Sequence, residues 1–121
     1  MSFSEAVKDG FDHYVKFDGR ASRPAYWWWV LFTVIVYIGV YIVDGVVFDG
    51  PVLIWLAYLA LLLPSLSVTI RRLHDTDRSG WWILISLVPF IGGIVLLVFV
   101  LQKSDEAENQ YGPPQATAAA Y

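Results

Sequence analysis

The sequence predicts an all-α integral membrane protein: three transmembrane helices preceded by an N-terminal amphipathic interfacial helix. Two observations carry that prediction. No Asp, Glu, Lys, Arg or His falls within Tyr26–Val43, Val52–Ile70 or Trp81–Leu101, and each block is close to the ~17–25 residues a helix needs to cross hydrocarbon. Of the 121 residues, 57% are hydrophobic and only 16% are charged, against about 25% charged in an average soluble domain. A charge at the bilayer centre costs about 2.5–3.5 kcal/mol on the mildest scale, so charge-free blocks are what a membrane selects. Three fully buried helices in a soluble chain of this size would have almost nothing left to cover them.

The chain divides into a cytoplasmic N-terminal segment (1–25), a membrane domain (26–101, with spans at about 26–43, 52–70 and 81–101) and a tail (102–121). In the first, Phe3, Val7, Phe11, Tyr14 and Val15 recur at helical spacing on one face. Such a helix either lies on the membrane or packs against the protein's own loop. Gly10 weakens it. The segment carries Glu5, Asp9, Asp12 and Asp18 and shows no cleavage site, so it reads as neither a secretory signal nor a transit peptide.

Asp18-Gly19 signals a turn. Ser22 suits an N-cap, and Pro24 stands in the first turn, where a missing N–H costs nothing. Span one opens on Tyr26–Trp29, rings suited to the headgroup level, and Asp44-Gly45 ends it. Pro64 predicts a kink in span two. Ser65, Thr69 and Arg72 share a face there, and Ser86, Pro89 and Gly93 share one on span three. Small and hydroxylated residues allow close approach in lipid, so these two faces are expected to pack together. The tail, acidic and then rich in Pro, Gln and Ala, reads as disordered, with a turn at Asn109–Pro113.

Lys and Arg set the orientation. Lys8, Lys16, Arg20 and Arg23 precede span one, the first loop has none, and Arg71, Arg72 and Arg78 sit in the second. Positive-inside bias puts the N-terminus and the loop RRLHDTDRSG in the cytoplasm. Three full crossings then put the tail outside. A re-entrant third block, at Pro89 and Gly92-Gly93, would return it to the cytoplasm.

The loop is the densest polar run. Arg20, Arg23, Arg71, Arg72, His74 and Arg78 are the candidate contacts to an anion or lipid headgroup. Arginines beside spans also fix topology, and Asp18, Asp75 and Asp77 are positioned to pair with them as a clasp. His74 with Asp75 lacks the further ligands of a metal site, and no metal or cofactor is expected. No Gly-rich phosphate loop, HExxH or GxSxG occurs. The net charge of -3 argues against nucleic acid. The expected partners are the bilayer, anionic lipids included, and a second copy or another membrane protein.

The run Phe17-x-Gly19-Arg20-Ala21-Ser22-Arg23-x-x-Tyr26-Trp27, then Leu63-Pro64-Ser65-Leu66, Arg71-Arg72-Leu73-His74-Asp75-Thr76-x-Arg78-Ser79-Gly80-Trp81-Trp82, Pro89-x-Ile91-Gly92 and Asn109-x-Tyr111-Gly112-Pro113 resembles the domain-of-unknown-function 805 family. That family often has a basic residue at the position of Pro24 and glycine at that of Asp77. The resemblance implies a bacterial inner membrane and a three-span topology, and no activity. The expected role is non-enzymatic, structural or accessory. The rival readings are a transporter or channel component, whose spans would need a polar path, and an enzyme acting on an anionic lipid or phosphate substrate. The enzyme would join His74 to Arg20, Arg23 or His13.

Overall fold

The computed structural model describes residues 2–105 and 107–114. Four α-helices run α1 Phe3–Asp12, α2 Arg23–Val43, α3 Leu53–Asp75 and α4 Ile91–Leu101. A π-helical turn, Asp44–Phe48, continues α2, and a 3-10 helix, Gly80–Leu87, precedes α4.

Ser2 opens α1 with a capping box. Its hydroxyl accepts from Glu5 N at 3.2 Å and its N–H donates to Glu5 Oε1 at 3.0 Å. Donation from the Ser2 backbone N–H, and after it from the Ser2 side chain, holds the Glu5 carboxyl below the usual carboxylate range. α1 packs on the first turns of α2 rather than on a loop: Phe3 meets Trp28 edge-on and Phe11 meets Trp29 and Phe32. Gly10 is the contact point, since a Cβ there would come within 2.3 Å of the Trp29 ring.

Ser22 caps α2 through Ala25 N, with Pro24 in the first turn. The span does not stop at Asp44-Gly45; it runs on through the π-turn. The buried Asp44 carboxylate reaches across to accept from Leu53 N at 2.7 Å and Ile54 N at 2.9 Å, closing the start of α3. α2 with its π-turn counts 26 residues and α3 counts 23. At 1.5 Å per residue these are about 39 and 35 Å, enough to cross a ~30 Å hydrocarbon core.

α2 and α3 pack through Ala21, Ala25, Trp29, Leu61 and Val68. Trp29 Nε1 donates to Ser65 Oγ at 3.1 Å, so Ser65 turns toward α2, not toward the third block as expected. Most large apolar side chains face outward, including Ile35, Ile38, Leu59 and Val46, as lipid rather than water allows. α3 continues through Pro64, whose missing N–H orphans the Ala60 carbonyl. The Tyr14 hydroxyl donates to that carbonyl from the N-terminal segment.

The three-span count expected from the sequence is not confirmed: two helices are of spanning length, and the third block differs from them. It is a hairpin rather than one helix. The 3-10 arm has 8 residues and α4 has 11, about 16 Å each and half of what a crossing needs. Val88 is extended and Phe90 takes φ +62°, a costly conformation for an aromatic residue. The arms return side by side, with Trp82 against Phe99 at 5.3 Å. Gly92 lets them touch: a Cβ there would fall 1.6 Å from Ile85 O, whereas Gly93 faces open space. The turn satisfies its own backbone, through Val88 N to Ile85 O, Ile91 N to Pro89 O, Gly92 N to Val88 O and Ile94 N to Phe90 O. Broken backbone is therefore admissible at this depth.

The disorder expected from residue 102 on is likewise corrected for the described part. Asp105 N donates to Asp75 O at 3.0 Å, and Asn109 and Gly112 bridge each other in the turn expected there. Residues 106 and 115–121 of the expected disordered tail lie outside the described residues.

Candidate functional site

The polar cluster forms where the N-terminal segment, the end of α3 and the tail meet. At its centre is Asp75, whose side chain is 0% exposed. Arg20 Nε donates to Oδ1 at 2.8 Å, Arg72 Nη1 donates to Oδ2 at 2.6 Å, and the Ser104 hydroxyl donates to Oδ2 as well. Both guanidinium groups are fully buried. Two cations against one anion leave an excess positive charge, and carbonyl oxygens solvate it. Arg20 donates to Asp75 O, Asp105 O, Ala107 O and Gly112 O. Arg72 donates to Ala21 O, Val100 O and Gln102 O. The last two oxygens are at the C-terminal end of α4, where helical carbonyls lack partners of their own. Arg72 therefore ties the returning arm of the hairpin to α3.

The other candidates scatter around this clasp. Arg71 turns to the opposite side of α3, donating to Ser67 Oγ at 3.3 Å and pairing with Asp9 of α1 at 3.4 Å. Its buried Nη2 has no hydrogen-bond partner. Ala21 N donates to Arg71 O at 3.0 Å. Arg23, half-buried, opens α2 beside the fully buried Ser22. Arg78 stands at the base of the hairpin, 4.2 Å above the Phe99 ring and donating to Thr76 Oγ1 and Gln102 Oε1. His74 is held by Gly19 O at 3.0 Å from Nδ1, and its ring stacks on Tyr111 at 3.9 Å. His13 bonds within its own segment, Nδ1 to Asp9 O at 2.7 Å, and does not join His74. The structure thus brings Arg20 and Arg72 onto one carboxylate and keeps Arg71 and Arg78 apart.

The tail partners Ser104, Ala107 and Tyr111 were not among the sequence candidates. Composition assigned the tail to disorder. The signal that could have found them is Asn109-x-Tyr111-Gly112-Pro113, a patterned run inside a polar stretch. Among the described residues no group of three or more His, Cys, Asp or Glu side chains is arranged to hold a metal ion.

The family model described as "Protein of unknown function (DUF805)" matches residues 14–113, from the tyrosine that reaches α3 to the proline after the bridge in the tail. The chain belongs to the DUF805 family. Inner membrane protein YhaI of Escherichia coli (strain K12) is 46% identical over 101 residues, 83% of this chain and 86% of the relative. Inner membrane protein YhaH of the same strain is 39% identical over 106 residues, 84% and 88% of the two chains. No solved structure matches the chain. These relatives and the two long apolar helices place this DUF805 protein in the bacterial inner membrane. The family description adds no activity.

Proposed function

We propose that this DUF805 protein is a non-enzymatic structural or accessory protein of the inner membrane. The Arg71–Gly80 run would then be a fold device: two spans and a half-depth hairpin, all fastened on the cytoplasmic side by the Arg20–Asp75–Arg72 clasp. One observation carries the reading. The Asp75 carboxylate and the Arg20 and Arg72 guanidinium groups spend their hydrogen bonds on protein atoms and are fully buried. A substrate or headgroup would have to break that network to reach them. The Lys and Arg asymmetry of the segments supports the cytoplasmic assignment.

The test separates clasp from headgroup site. Removing one partner of a buried ion pair leaves the other uncompensated, at about 3–5 kcal/mol. Arg72→Ala and Asp75→Ala are both expected to lower stability by that order in detergent, with little effect of lipid composition. If instead Arg72→Ala leaves stability intact but weakens association with anionic lipid in a salt-dependent way, and Asp75→Ala does neither, the arginines serve a headgroup.

A further inference from the structure

Between the base of the hairpin and the end of α3 lies a groove of about 310 Å³, lined by Phe17, Ile70, His74, Trp81, Leu84 and Tyr111, with Ser79, Gly80 and Ile83 completing it. We propose that it binds a neutral amphiphile with a hydroxyl head and an acyl chain, the chemistry of a diacylglycerol.

The polar wall carries the choice of ligand. His74 is 8% exposed. Its Nδ1 faces Gly19 O, which can only accept, so in the neutral ring Nδ1 holds the hydrogen and Nε2 is left as a lone-pair acceptor. Among the described residues no hydrogen bond reaches Nε2. It stands beside Gly80, 3.4 Å from where a Cβ would sit, and the same Cβ would press to 2.6 Å on the Ile70 Cγ2. Glycine at 80 is therefore what leaves this edge of the ring uncovered. Ser79 Oγ accepts from Trp81 N at 3.3 Å and keeps its own hydrogen to donate. An alcohol supplies both complementary functions, a donor for Nε2 and an acceptor for Ser79. A fully ionised phosphate supplies only acceptors, which face a lone pair at Nε2.

Charge points the same way. No Arg or Lys lines the groove; the nearby arginines are committed to the clasp, to α1 and to Phe99. The Asp18 carboxylate also acts on the ring, and a negative charge there disfavours an anion. The rest of the lining is apolar, and Trp81 and Leu84 are exposed on the lipid side, so a chain can enter from the bilayer. Buried polar groups left unpaired are costly, and pockets of this kind, apolar with a few placed polar atoms, are the usual form of a small-molecule site.

The test uses the full-length protein in lipid nanodiscs with a photoreactive diacylglycerol as probe. Labelling is expected at the groove residues, Ile83 and Leu84 foremost. Unlabelled diacylglycerol is expected to displace it at about tenfold lower concentration than the matching phosphatidate, the worth of one hydrogen bond to an otherwise unpaired group. Leu84→Trp, at a half-exposed position, and Gly80→Ala are both expected to lose groove labelling. Labelling spread evenly over the lipid-facing side of α2, or unchanged in a folded Leu84→Trp protein, overturns the site. Equal or better displacement by phosphatidate overturns the neutral head. The competition arm uses the unaltered chain and decides even where a variant fails to fold.

Discussion

The Tyr14 hydroxyl and Pro64 form one unit although fifty positions of sequence separate their elements. Proline removes the N–H that would bond the Ala60 carbonyl, and Tyr14 supplies a donor instead. With no water in hydrocarbon to replace the lost donor, leaving this acceptor unsatisfied costs about 1–3 kcal/mol. Tyr14→Phe is therefore expected to destabilise the protein by that amount, and by much less in a Pro64→Ala background, where the helix supplies its own donor. A double-mutant cycle on thermal unfolding in detergent measures the coupling; additive effects would show that the two residues act separately. Asp77 gives a second case. It sits at φ +60°, where glycine is at ease and aspartate pays a cost smaller than most residues do. Asp77→Gly is expected to hold or raise stability, despite losing the contact from Gln110 Nε2 at 3.1 Å. The glycine that the family pattern puts at this position has a backbone reason. Caps were legible at this scale: Ser22 and Pro24 lie where their chemistry predicts. Gly10 was misread, because a propensity argument sees a weak helix former and not the Trp29 ring it admits.

At the scale of elements, hydropathy found every apolar block and misjudged one. A charge-free run of spanning length satisfies the same window whether it crosses or turns back. What decides here lies far away in sequence: Arg72 takes the last carbonyls of α4 back to the end of α3. Pro89 and the glycine pair marked the turn, but their sequence could not say which glycine bears the contact. Gly93 was expected to pack against α3, and it faces open space; Gly92 meets the 3-10 arm. Gly92→Leu is expected to abolish the hairpin and drop detergent stability sharply, while Gly93→Leu is expected to change it by less than about 0.5 kcal/mol, as for a surface substitution. Melting curves of the two variants check this. Equal loss at both positions would mean that the arms meet elsewhere.

At the scale of the whole molecule, the N-terminal segment, the RRLHDTDRSG loop and the tail gather on one side. The sequence-based orientation held the first two together through their Lys and Arg residues. It lost the tail because the tail's position depended on the third block. A reporter active only in the cytoplasm, fused after Tyr121, is accordingly expected to be active. The side-chain network that closes this end was only half legible: the pairing of Arg20 with Asp75 could be anticipated from charge, whereas the carbonyl oxygens that complete it carry no sequence signature.

The gathering of loop and tail is the central claim, and one proximity measurement tests it. The chain has no cysteine, so an Asp77→Cys/Gln110→Cys pair can be joined in native membranes by a short bifunctional maleimide without background. Side chains at these positions meet at 3.1 Å, and efficient intramolecular cross-linking is expected for this pair but not for Asp77→Cys/Asp49→Cys, which spans the two ends of α3. No cross-link between 77 and 110, with both cysteines reactive toward single maleimides from opposite faces of the membrane, would contradict the hairpin and restore three full crossings.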